Sequence, residues 1–137
     1  MNKVIMACLG AVLLAACGQS VFEMEVGMCF NGSIDGSTTV ETVECTEPHE
    51  SEVYALFDYT ETDVYPGETA MAEYASDVCL PAFEGYVGVS YEESEIYAST
   101  GYPSVDTWDD GDREIVCSLN DEAVGTTLVG SMSGANR

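Results

Sequence analysis

The sequence predicts an α+β domain: a small antiparallel sheet of about five strands, one main helix packed on it, and two disulfides. Three observations carry this. Two stretches, Glu52 to Tyr59 and Arg113 to Leu119, alternate with a period of two. One stretch, Glu68 to Phe83, repeats apolar residues at spacings of three and four. Four cysteines, Cys29, Cys45, Cys79 and Cys117, are distributed along the chain downstream of Cys17.

In chain order, Lys3 precedes an apolar run from Val4 to Ala16 that ends in Leu14, Ala15, Ala16 and Cys17. The run has the length of a signal-peptide core and falls short of the about twenty apolar residues that span a bilayer. The tetrapeptide resembles the lipobox of bacterial lipoprotein precursors. That resemblance implies cleavage before Cys17, a diacylglycerol on its thiol and an acyl chain such as palmitate on the new amino terminus. Residues 1–16 are then a signal peptide, 17–24 a lipidated tether, and 25–137 a domain on the extracytoplasmic face of a bacterial membrane. Each buried methylene contributes about 0.8 kcal/mol, so two or three chains hold stably where one binds marginally. Cys29 comes twelve residues after Cys17, a reach of at most about 40 Å when extended.

Removing the leader removes Lys3 and no acid, leaving Arg113 and Arg137 against 25 acidic residues and a net charge of −23. Nucleic acid and anionic lipid surfaces are disfavoured as partners. Such a charge suits a cationic partner, a bed of weak calcium sites or a solvated surface. The scatter of the acids along the chain favours the last.

Glu25 to Phe30 and Thr38 to Cys45 read as two short strands around a turn-rich loop, Asn31 to Ser37, and are expected to pair as a hairpin. Glu52 to Tyr59 follows, with Val53, Ala55, Phe57 and Tyr59 on one face and Glu52 and Asp58 on the other. Tyr65, Pro66 and Gly67 make a turn into the helix, whose apolar stripe is Met71, Ala75, Val78, Cys79 and Ala82. Pro81 is expected to break that helix before Gly85. Ile96 to Ala98 reads as a strand, Gly101 to Ser104 and Asp109 to Gly111 as turns. Arg113 to Leu119 places Ile115, Cys117 and Leu119 together, Thr126 to Val129 reads as an edge strand, and Gly130 to Asn136 as a flexible end.

An even number of cysteines in an exported chain argues for two disulfides, and three pairings can be drawn. The element order favours Cys29 with Cys45 across the hairpin and Cys79 with Cys117 from helix to late strand. A four-cysteine zinc site is disfavoured because no two cysteines are spaced Cys-x-x-Cys.

A series of short motifs runs through this framework: Val26, Gly27, Cys29, Phe30; Val43, Cys45, Pro48, His49, Glu52, Val53, Tyr54; Tyr65, Pro66, Gly67; Cys79, Phe83, Tyr86, Val87, Gly88; Tyr102, Pro103, Trp108, Gly111, Asp112, Arg113, Cys117; Gly130, Ser131 and Arg137. In order and spacing they resemble the septum formation domain family of exported or membrane-anchored bacterial proteins. The resemblance covers Val26 to the end. It departs at Met28, where the family commonly carries an acid. It implies a single extracytoplasmic domain with paired cysteines and points toward cell division, but it brings no established chemistry.

His49, the only histidine, lies among Glu47, Glu50 and Glu52. It reads either as a pH-sensitive ligand or base, or as a turn residue bonded to backbone. With no nucleophile identifiable beside it, the second reading is preferred. Asp106, Asp109, Asp110 and Asp112 surround Trp108 but miss the alternating oxygen ligands of a calcium loop. Arg113 is expected to pair with a nearby carboxylate or stack on an aromatic ring. His49, Trp108, Asp112 and Arg113 are therefore the candidate binding or structural residues, with no catalytic residue, metal ligand or cofactor assigned.

The function these features favour is a membrane-anchored envelope lipoprotein with a non-catalytic binding or scaffolding domain. Its expected partners are the membrane, through the anchor, and an envelope protein or cell-wall component. The alternative is an envelope hydrolase of cell-wall material using acidic residues, for which nothing singles out a carboxylate pair.

Overall fold

The computed structural model describes residues 18–20, 23–32, 34, 39–121 and 127–137. The Leu14 to Cys17 motif, Cys17 included, lies outside these residues. The described chain forms β1 (Gly18–Ser20), β2 (Cys29–Asn31), β3 (Thr39–Val43), β4 (Ser51–Asp58), α1 (Glu68–Val87), a 3-10 turn (Tyr91–Glu93), β5 (Tyr97–Gly101), α2 (Val105–Asp109) and β6 (Glu114–Asn120). All strand pairings are antiparallel, and the sheet runs β1-β3-β2-β4-β6-β5. This is the α+β architecture of the sequence reading, five main strands with a short sixth at the edge. The sixth, β1, occupies residues expected in the tether: Gly18 to Ser20 pair with Glu41 to Thr39 of β3.

Both expected disulfides are present. Cys29–Cys45 closes the β2–β3 hairpin and Cys79–Cys117 ties α1 to β6, with Cα separations of 5.2 and 5.5 Å. The second lies in the main core, where Ala75, Cys79, Phe83 and Val87 of α1 meet Tyr54 and Ala55 of β4 and Ile115, Cys117 and Leu119 of β6. The opposite sheet face buries Met24, Phe30, Val40, Val53 and Val116. A third, aromatic cluster joins Tyr59, Met71 and Trp108 at one end.

Strand β4 departs from the alternation expected of it. A bulge between Val53 and Ala55 inserts Tyr54 as an extra residue, which reverses the phase of the strand. Val53 therefore packs on the back face, while Ala55 packs toward α1 with Phe57 against the same core. Glu52, expected on the polar face, is fully buried on the helix side opposite Leu119.

Helix α1 continues through Pro81 to Val87 rather than ending there. Proline removes one backbone donor and crowds the preceding turn, but burial of Phe83 and Val87 beyond it and the Cys79–Cys117 link hold the last turns on the sheet. Gly88, at φ 98°, ends the helix in the left-handed conformation and donates to Glu84 O at 2.9 Å.

The C-terminal residues, expected to be flexible, fold back on that helix end. Gly134 N donates to Tyr86 O at 2.7 Å and Asn136 N to Val87 O at 2.9 Å, satisfying carbonyls that a helix terminus leaves without partners. Met132 is buried, and Ser94 Oγ donates to Arg137 O at 2.6 Å. In place of a final edge strand, Leu128 makes a single bridge with His49; Thr126 lies outside the described residues.

Candidate functional site

Among the described residues, a groove runs between the outer side of α1 and β5. Ala72, Ser76 and Leu80 recur one turn apart along α1 and form one wall. Ala98, Ser99 and Thr100 form the other, with Tyr91 and Tyr102 at its ends. This hollow has a volume of about 430 Å³. A second, of about 670 Å³, shares Ala72, Ser76 and Tyr102 with it and extends along α1 past Thr69, Glu68, Glu73 and Asp77. All three acids are exposed.

Small residues on α1 make the groove: side chains the size of alanine and serine leave space that longer ones would fill. Tyr102 is braced from behind, packing against the cluster of Tyr59, Met71 and Trp108. Burial raises the pKa of Tyr65, at the same end of the fold, with Glu68 and Tyr102 adding to the effect.

Trp108, Asp112 and Arg113 come together just behind this region. Ser104 caps α2 by accepting from Thr107 N at 3.2 Å, and Thr107 Oγ1 returns the bond by accepting from Ser104 N at 3.0 Å. The turn after α2 brings the Arg113 guanidinium carbon 3.4 Å from the Trp108 ring centre. Arg113 Nη1 donates to Trp108 O at 2.9 Å and Asp112 O at 2.6 Å, and Asp112 Oδ1 accepts from Glu114 N at 3.0 Å. Every one of these bonds is local, so the trio fixes the α2–β6 turn and supports Tyr102 through Trp108.

His49 sits apart from that trio. It is fully buried, its Nδ1 lies 2.8 Å from Glu47 O, and its backbone pairs with Leu128 in both directions. Its Nε2 is buried without a partner among the described residues.

A second polar centre, absent from the sequence reading, forms around Glu52. Its Oε1 accepts from Tyr86 OH and Ser131 Oγ, both at 2.6 Å, and its Oε2 from Met132 N at 2.7 Å. Burial, followed by the hydrogen bond to Glu52, pushes the Tyr86 phenol up to about 12. Carboxylate and sulfur atoms of Glu52, Cys29 and Cys45 lie within 4.8 Å of one another. The two sulfurs are covalently joined, so neither is a thiolate available to a metal, and both carboxylate oxygens already accept protein donors. This centre ties β4, α1 and the C-terminal segment together.

Neither Glu52 nor the groove stands out in the sequence. Glu52 reaches the interior through the bulge, which has no sequence signature here. The groove leaves one faint trace, the uncharged run Ile96 to Val105 between Glu95 and Asp106, which the longer uncharged run Ala123 to Asn136 overshadows.

Among the described residues no helix is long and apolar enough to cross a membrane. No curated protein and no solved structure matches the chain. The family comparison gives septum formation, matched over residues 13–130, a span containing both disulfides, the helix, the groove, and Glu52 with Tyr86. The chain belongs to the septum formation family.

Proposed function

We propose that this protein is a lipid-anchored envelope component whose domain is a non-catalytic binding module acting in cell division, with Cys17 as the anchor. The observation that carries this reading is the position of the groove relative to β1. Strand β1 begins immediately after Cys17 and forms one edge of the sheet; β5, which walls the groove, forms the other. Five inter-strand steps of about 4.8 Å separate them, about 24 Å in all. An anchor at Cys17 holds the β1 edge near the bilayer and turns the groove toward the envelope space, where an envelope protein or cell-wall component is met. Membership of the septum formation family supports the division role.

The test is site-specific photocrosslinking in living cells from Leu80, in the groove, and from Glu44, outside it. A discrete envelope adduct from Leu80, absent from Glu44 and lost on Ser76→Arg, is expected. Equal adducts from both positions, or none from Leu80, would overturn the binding reading. Loss of membrane fractionation on Cys17→Ser tests the anchor separately.

A further inference from the structure

We infer that the α1–β5 groove binds a short extended segment of a basic polypeptide, which adds to the sheet as a seventh strand beside β5. This deepens the binding reading above and rests on it.

Strand β5 is the terminal strand of the sheet, and among the described residues β6 is its only strand partner. An edge of this kind presents backbone donors and acceptors in a row, and proteins ordinarily blunt it with charges, proline or a covering segment. Here the strand is Tyr-Ala-Ser-Thr-Gly, with neither a charge nor a proline, in a chain holding 25 acidic residues. Gly101 at its end is contacted from the back face by Ile34, so the accessible stretch is Ala98 to Thr100. The groove opens along that stretch, on the side facing α1.

The dimensions match an added strand. Ala72 to Leu80 spans about 12 Å of helix at 1.5 Å per residue, and three strand residues, as many as Ala98 to Thr100, cover about 10 Å at about 3.3 Å each. With Ala72 and Ser76 on the helix wall, there is room for guest side chains on the positions that face α1, and the exposed carboxylates of Glu68, Glu73 and Asp77 on the same helix favour lysine or arginine at those positions. Backbone pairing supplies affinity and alternate side chains supply specificity, the arrangement of strand-addition complexes. A second copy of this chain is disfavoured as the guest, because it would bring another 25 acids to the same surface.

The experiment is fluorescence anisotropy of the purified protein with a labelled nine-residue peptide alternating lysine with valine and threonine. Its comparator is the same peptide N-methylated at every second backbone nitrogen on the pairing edge. N-methylation keeps charge and side chains but removes donors for strand pairing. Expected results are at least tenfold weaker binding of the N-methylated peptide, and at least tenfold weaker binding of the parent peptide by Ser76→Arg or Glu73→Lys/Asp77→Lys. The charge-matched Glu44→Lys/Glu61→Lys variant, changed away from the groove, should shift binding less than threefold. No binding of the parent peptide, equal binding of the N-methylated form, or equal loss in the two lysine variants would overturn strand addition. So would a concentration-dependent dimer abolished by Ser76→Arg. A Leu80 crosslink in cells that persists alongside equal binding of the N-methylated peptide would leave the binding module standing and remove only this mode of binding.

Discussion

The Glu52 carboxylate accepts the Tyr86 hydroxyl at 2.6 Å, joining β4 to the last turn of α1. The same carboxylate takes Ser131 Oγ and Met132 N, so a single buried acid holds a strand, a helix and the C-terminal segment. Glu52→Ala leaves three donors facing an empty site, each unsatisfied group costing about 1–3 kcal/mol. The expected loss is about 4 kcal/mol in denaturant unfolding, with Glu52→Gln losing about half of that. Hydrogen exchange should show the amides of Met132, Gly134 and Asn136 losing protection first.

Tyr86→Phe is expected to cost about 2 kcal/mol near neutral pH, the scale of a hydrogen bond to a charged acceptor. Its effect on alkaline stability has a defined sign. The folded protein holds the Tyr86 proton up to about 12, whereas an unfolded tyrosine releases it near 10. Between those values the native state binds more protons, so stability is fully present below pH 10 and falls as pH rises toward 12. Tyr86→Phe should flatten that fall when urea midpoints are measured from pH 9 to 12. Tyr54, buried and donating to Cys79 O at 2.9 Å, also has a raised pKa and should leave a residual slope.

The two disulfides should differ in worth. By loop-closure entropy the Cys29–Cys45 and Cys79–Cys117 loops contribute about 3 and about 4 kcal/mol, their sequence separations being 16 and 38. Replacing Cys79 and Cys117 together with alanine should therefore lower the unfolding free energy more than replacing Cys29 and Cys45. The difference should exceed the entropic estimate, because Cys79 and Cys117 are fully buried in the main core. Melting curves of both double variants check the order.

Asp58 and Glu114 stand directly opposite each other on β4 and β6, like charges in register. Burial, Asp112 and Asp58 together raise the pKa of Glu114, so its ionised form costs stability. That cost is absent at pH below the ordinary carboxylate range and grows as pH rises through it. Glu114→Gln should raise the melting temperature at pH 7 and leave it nearly unchanged at pH 3. Added sodium chloride should also raise the melting temperature of the parent chain by screening its net charge, and less so in Glu114→Gln.

The amphipathic pattern of α1, the alternation of β6 and the cysteine positions were legible because each is a local repeat that survives whatever surrounds it. Met71, Ala75 and Cys79 fall on the buried stripe, and Ile115, Cys117 and Leu119 on one sheet face, as their spacing requires. An even count of cysteines on elements that had to pack gave the disulfides, and the ordered motifs gave the family.

Tertiary structure alone decided the rest. One extra residue at Tyr54 turned Glu52 from an outward acid into the buried acceptor of three donors, because a strand's faces depend on its phase and a bulge resets it. The C-terminal segment gained its order from the open carbonyls of Tyr86 and Val87, which exist only once α1 has run past Pro81. The groove likewise belongs to neither of its walls: small residues on α1 and an uncharged strand enclose a hollow only when sheet order puts β5 at the edge beneath them.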